Sequence, residues 1–166
     1  MSRTKKIALA GVLAAVAVTF GWIERLLPAA PIPGIKLGLA NTAVLITLYI
    51  LGGTYAVSVS LIRVFVNSLL GAGLFGGFYA LCGAGISVCA MILAKKTRTF
   101  GVLGVSVVGG VSHNLGQIFA AVLFTENTKL FFYFPILILS GIVAGVMVGL
   151  CSWTVISIHT RTEMKR

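Results

Sequence analysis

An arginine interrupts the apolar run Leu61-Ile62-Arg63-Val64-Phe65, with Ser60 three residues before it and Asn67 four residues after. On a helix those three positions share one face. A guanidinium is always charged and carries five N–H donors, so in a hydrocarbon environment it needs a partner or a purpose. Two readings stay open for Arg63. It is structural, bonded to helix-end carbonyls or paired with Glu24, or it is the counter-charge for an anionic ligand. A second polar group follows in Ser112-His113-Asn114, with Gln117 four residues beyond the histidine and on its face. Each amide left unpaired in lipid costs free energy, so this group serves either a ligand or hydrogen bonds between helices. Lys36 and Asn41 come from the segment Pro31-Ile32-Pro33-Gly34-Ile35-Lys36-Leu37-Gly38-Leu39-Ala40-Asn41. Lys36, Asn41, Arg63, Asn67, His113, Asn114 and Gln117 form the candidate substrate-binding set. The positive bias from Lys36 and Arg63 favours a carboxylate or a phosphate.

The elements that must position these residues follow from composition. Hydrophobic residues make up 58% of the chain and charged residues 10%, with a mean hydropathy of +1.08. Soluble domains carry about 25% charged residues. The apolar runs are long enough for helices that cross a bilayer, at about 20 residues per crossing, and no period-two alternation suggests a barrel. The expected fold is an all-α membrane protein, a six-transmembrane-helix bundle forming one integral membrane domain over 1–166. Its helices are placed at 7–26, 37–52, 54–71, 73–94, 100–124 and 130–158. The divisions within the long apolar block fall at Gly52-Gly53 and in the glycine-rich stretch from Gly71 to Gly77.

Arg3, Lys5 and Lys6, then Lys95, Lys96 and Arg98, then Arg161, Lys165 and Arg166 form three basic clusters separated by even numbers of crossings. The positive-inside rule therefore puts all three, and both termini, in the cytoplasm of a multi-pass plasma-membrane protein. In this topology His113 and Arg63 lie nearer the midplane, and Asn67 and Gln117 nearer the outer face. These depths would let the polar side chains line one outward-opening cavity. The same topology accounts for the net charge of +10 without a nucleic-acid partner. Lys5-Lys6 before an apolar run also resembles a signal peptide, but Leu27-Pro28-Ala29-Ala30-Pro31 is a poor cleavage site and a retained first helix is expected. Cys82, Cys89 and Cys151 lack metal-ligand spacing and read as small packing residues; no metal or cofactor is expected.

Small residues mark close helix approaches. Gly141, Gly145 and Gly149 repeat every four positions, which favours packing inside the bundle. Ala10, Ala14 and Ala17 form a flat stripe on the first helix, and the bare pattern favours internal packing there too.

Taken together, Pro33-Gly34-Ile35-Lys36-Leu37-Gly38-Leu39-Ala40-Asn41, the Leu61-Ile62-Arg63 helix, the Gly71 to Gly77 turn and Ser112-His113-Asn114-Leu115-Gly116-Gln117 resemble the Gx transporter family over nearly the whole chain. That family is often labelled heptaprenyl diphosphate synthase component I, and it is grouped with the substrate-binding S components of energy-coupling factor transporters. The resemblance implies capture of a vitamin or similar micronutrient from outside, with a separate transmembrane coupling protein and two ABC ATPases as partners. It also implies that the alanine stripe, here Ala10 and Ala14, docks on the coupling protein, against the preference from the bare pattern. The loop carrying Lys36 becomes a lid by the same resemblance.

The synthase label meets a chemical obstacle. Prenyl elongation requires aspartate-rich motifs that hold magnesium on a diphosphate, and this sequence contains no aspartate. Nor does it contain a GxxxxGK[ST] phosphate loop. An enzyme is therefore not expected. Three functions remain: a transport substrate-binding subunit, a non-catalytic accessory subunit of a prenyl synthase, and an autonomous secondary carrier.

Overall fold

A computed structural model describes residues 1–26 and 37–164; Lys36 and most of the segment around it lie outside the described residues. Among the described residues the chain is helical throughout its regular structure. The helices are α1 (Arg3–Leu26), α2 (Leu39–Ile50), α3 (Gly53–Asn67), α4 (Gly73–Lys96), α5 (Val102–Thr125) and α6 (Phe134–Met164). A π-helical turn, Ser68–Ala72, joins α3 to α4, and a 3-10 turn, Thr128–Tyr133, precedes α6. Five spans are long and apolar enough to cross a membrane: Arg3–Leu26, Gly53–Gly71, Gly73–Lys96, Val102–Thr125 and Thr128–Thr162.

α2 is the exception. Its 12 residues rise only about 18 Å, short of a hydrocarbon core of about 30 Å. It is shorter than the sequence suggests because glycines stop it at both ends. Gly38 has φ 75° and Gly52 has φ 101°, outside the right-handed helical region. The same freedom ends the Gly53–Gly71 span where expected, at Gly71 with φ 129°. α1 and α6 run past their expected ends because Arg3 to Lys6 and His159 to Met164 contain no residue that breaks a helix.

The principal contacts join α2 to α3, α3 to α4, α4 to α5, α5 to α6, and α6 back to α2, which closes a ring of five helices. α1 packs against α2 and α3. Short α2 is the most enclosed element: Val44, Leu45 and Leu48 are buried and belong with Ala14, Ala17, Ala56, Val59 and Met91 in the core, and Thr47 is fully buried too.

α5 is held by backbone-to-backbone approaches on two sides. A Cβ on Gly110 would collide with the Gly141 carbonyl oxygen, and one on Gly145 would lie 2.6 Å from Val107 Cα. Toward α4, a Cβ on Gly116 would lie 2.7 Å from the Cys82 carbonyl oxygen. The Gly141-Gly145-Gly149 stripe thus packs inside the bundle against α5.

The Ala10, Ala14 and Ala17 stripe of α1 also faces inward. Ala14 is 5% exposed and Ala17 fully buried, with Ala10 packed beside them. The surface that α1 leaves open is the other one, with Ile7, Gly11, Val12, Ala15 and Trp22 exposed.

Candidate functional site

Two charged side chains from other helices hold the ends of α2. At its start, Glu24 Oε1 in the last turn of α1 accepts a hydrogen bond from the Gly38 backbone N–H at 2.6 Å. At its end, Lys95 Nζ from α4 donates to the Leu48 carbonyl at 2.7 Å and sits 4.6 Å from the centre of the Tyr49 ring. An anion at the N-terminus and a cation at the C-terminus both oppose the helix macrodipole. The sequence of α2 supplies neither charge itself and has no side-chain N-cap, so its neighbours provide both. α2 therefore runs from the Glu24 end of α1 to the Lys95 end of α4.

This placement brings Asn41 against α3. Arg63 Nη2 donates to Asn41 Oδ1 at 2.7 Å, and the Glu24 carboxylate acts on the same guanidinium through its charge. Arg63 lies near the middle of the Gly53–Gly71 span. Its Nε is buried and has no hydrogen-bond partner among the described residues.

One helical turn further on, Asn67 packs against α1, where its amide lies where a Cβ on Gly21 would be. Its Oδ1 is also buried without a partner among the described residues, as is Ser60 Oγ on the same face. Arg25 closes the group by donating from Nη2 to the Asn67 carbonyl oxygen at 2.8 Å. That carbonyl immediately precedes the π-helical turn, a distortion that recurs at functional sites.

The junction of α1, α2 and α3 therefore gathers Glu24, Arg25, Asn41, Ser60, Arg63 and Asn67. Among the described residues its charges are unequal: two arginines stand against one glutamate. Buried charge is tolerated when it is paired and hydrogen-bonded, and here Asn41 and Glu24 do part of that work.

The other candidates occupy different junctions. His113 and Gln117 lie against α4 at Gly83, where an added Cβ would sit 3.0 Å from His113 Cε1 and 2.8 Å from Gln117 Cγ. Asn114 faces α6, where Nδ2 donates to the Leu137 carbonyl at 2.7 Å and to Ser140 Oγ at 3.1 Å. α3 and α5 share no principal contact, because α4 stands between them in the ring. The structure brings Asn41, Arg63 and Asn67 together; it distributes His113 and Gln117 to the α4–α5 seam and Asn114 to the α5–α6 seam. Lys36 lies outside the described residues.

Sequence reasoning named Glu24 only as a possible partner of Arg63, and it missed Arg25 and Lys95 as structural groups. The available signal was α2 itself: an apolar helix without terminal charges needs them from elsewhere.

No curated protein and no solved structure matches the chain. A family model described as heptaprenyl diphosphate synthase component I matches residues 13–155, taking in every one of the candidate binding residues. Helices long and apolar enough to cross a membrane, a polar junction in their midst and this match across most of the sequence lead to one statement of identity: the chain belongs to the heptaprenyl diphosphate synthase component I family.

Proposed function

We propose that the chain is the membrane-embedded substrate-binding component of an importer of the energy-coupling factor type, and that it captures a small anionic micronutrient or cofactor precursor from outside. The observation that carries this reading is Arg63, a charged residue near the middle of a spanning helix whose Nε has no partner among the described residues. Ionisable groups inside membrane helices face the protein interior and mark ligand sites or pathways. Among the described residues the junction sets two arginines against one glutamate, a positive balance that suits an anion.

In this reading six helices cross the plasma membrane, α2 included, with both termini in the cytoplasm. α2 supports a sixth crossing through its two caps: Lys95 belongs to a basic cluster assigned to the cytoplasm, while Glu24 is at the opposite end of α1. Energy comes from partners, a transmembrane coupling protein and two ABC ATPases, because the sequence has no phosphate loop of its own. With no aspartate to hold magnesium, the chain itself is not a prenyl-elongating enzyme.

The family description favours a second reading, a non-catalytic accessory subunit of heptaprenyl diphosphate synthase. Binding by the purified protein separates the two. Saturable binding of a small molecule, together with co-purification of a coupling subunit, supports the importer. Co-purification of a prenyl synthase whose product length changes on its removal supports the accessory role. Uptake by this chain alone in liposomes, without nucleotide, would instead make it a secondary carrier.

A further inference from the structure

Two unsatisfied groups of opposite sense lie one helical turn apart on α3. Arg63 Nε is a donor and Asn67 Oδ1 an acceptor, and both are buried without partners among the described residues. Ser60 Oγ, on a residue 3% exposed, stands three residues before Arg63 and serves in either sense. Three neighbouring atoms are engaged: Arg63 Nη2 with Asn41 Oδ1, Glu24 Oε1 with the Gly38 N–H, and Arg25 Nη2 with the Asn67 backbone carbonyl. The open donor and the open acceptor therefore define what the site lacks. Leaving either buried and unmet costs its full desolvation penalty.

From this pair we infer the ligand's chemical class: a monoanion that carries an O–H or N–H donor beside its charge, such as a 2-hydroxy acid or an N-acyl amino acid, and not a diphosphate. The inference rests on the binding-subunit reading. A carboxylate oxygen accepts a hydrogen bond from Arg63 Nε–H, and the adjacent O–H or N–H donates to Asn67 Oδ1. A fully ionised diphosphate offers acceptors only, so it would satisfy Arg63 and set its oxygens against the Asn67 oxygen.

The test offers the purified, detergent-solubilised protein two probe sets and reads binding by native mass spectrometry. One set is mandelate, 2-hydroxyisocaproate and N-acetyl-leucine; the other is geranyl diphosphate and inorganic diphosphate. The donor-bearing monoanions should bind at least about tenfold more tightly than either diphosphate, because a site built to pair a donor rejects ligands that lack it. Asn67→Leu should reduce that preference to less than about twofold while the protein stays monodisperse, and Asn67→Gln should restore part of it. Diphosphates bound as tightly as the monoanions would overturn the inference and leave the binding reading intact. A preference unchanged in Asn67→Leu would mean that water alone bridges the pair, which also overturns it. If no probe binds and no small molecule co-purifies, the binding reading fails, and this inference with it.

Discussion

Arg63 Nη2 and Asn41 Oδ1 meet at 2.7 Å, joining the middle of the Gly53–Gly71 span to the first turn of the short α2. The contact fixes the start of α2 against α3, and the Glu24–Gly38 bond fixes the same point against α1. Arg63 is thus both a structural tie and, through its remaining donor, a group with capacity to spare. The two readings that the sequence leaves open for it are compatible.

That arrangement predicts coupling between Arg63 and Glu24. Glu24→Gln keeps the acceptor for Gly38 but removes the compensating charge, and it should lower thermal stability in detergent by about 1–3 kcal/mol. Arg63→Leu alone should cost a similar amount, and the Glu24→Gln/Arg63→Leu pair less than the sum of the two. Strict additivity in a double-mutant cycle would show that the charges do not interact.

The cap at the other end of α2 is testable through Lys95. Lys95→Met keeps the aliphatic stem but loses the hydrogen bond to the Leu48 carbonyl and the contact with the Tyr49 ring. A loss of about 1–2 kcal/mol is expected. Lys96→Met on the exposed neighbour should change stability by less than about 0.5 kcal/mol. Equal effects would remove the cap from the account.

Glycines give a contrast within one experiment. Gly110→Val drives a side chain into the Gly141 carbonyl, whereas a Cβ at Gly11 meets nothing within 4 Å. The first should lower the unfolding temperature sharply or prevent assembly, and Gly11→Ala should leave it unchanged or raise it, since alanine is the better helix former. Tolerance of Gly110→Val would contradict the close packing of α5 on α6.

The two faces of α1 make a further distinction. Ala14 is buried in the core, so Ala14→Trp should destabilise the protein by overpacking, at about 1–3 kcal/mol or more. Ala15 is exposed, and Ala15→Trp should leave folding and small-molecule binding intact. If Ala14→Trp instead folds normally and only loses a partner subunit on purification, Ala14 belongs to a docking surface.

Much of this architecture can be read in the sequence, and the parts that cannot share a cause. Gly52 and Gly71 mark the breaks around α3 because only glycine takes up those positive φ values readily, a property each residue carries by itself. Arg63 stands out because a charge in an apolar run is costly wherever the helix packs. The neighbours of each helix are different, since apolar side chains pack on other helices and on lipid tails alike, and periodicity does not say which helix a face meets. Depth alone therefore groups His113 with Arg63, while the fold places them on helices separated by α4. Asn114 shows the same limit: its polarity is visible in the sequence, but its bonds to Leu137 and Ser140 depend on the approach of α5 to α6.

The central claim, that the α1–α2–α3 junction receives a small anionic molecule, is tested most directly by native mass spectrometry of the gently purified protein beside Arg63→Leu and Arg63→Lys. A discrete small-molecule adduct is expected on the wild type. It should be absent from Arg63→Leu and reduced in Arg63→Lys, with both variants monodisperse, because lysine keeps the charge but not the Nε donor. An adduct of the same mass and occupancy on folded Arg63→Leu would contradict the account.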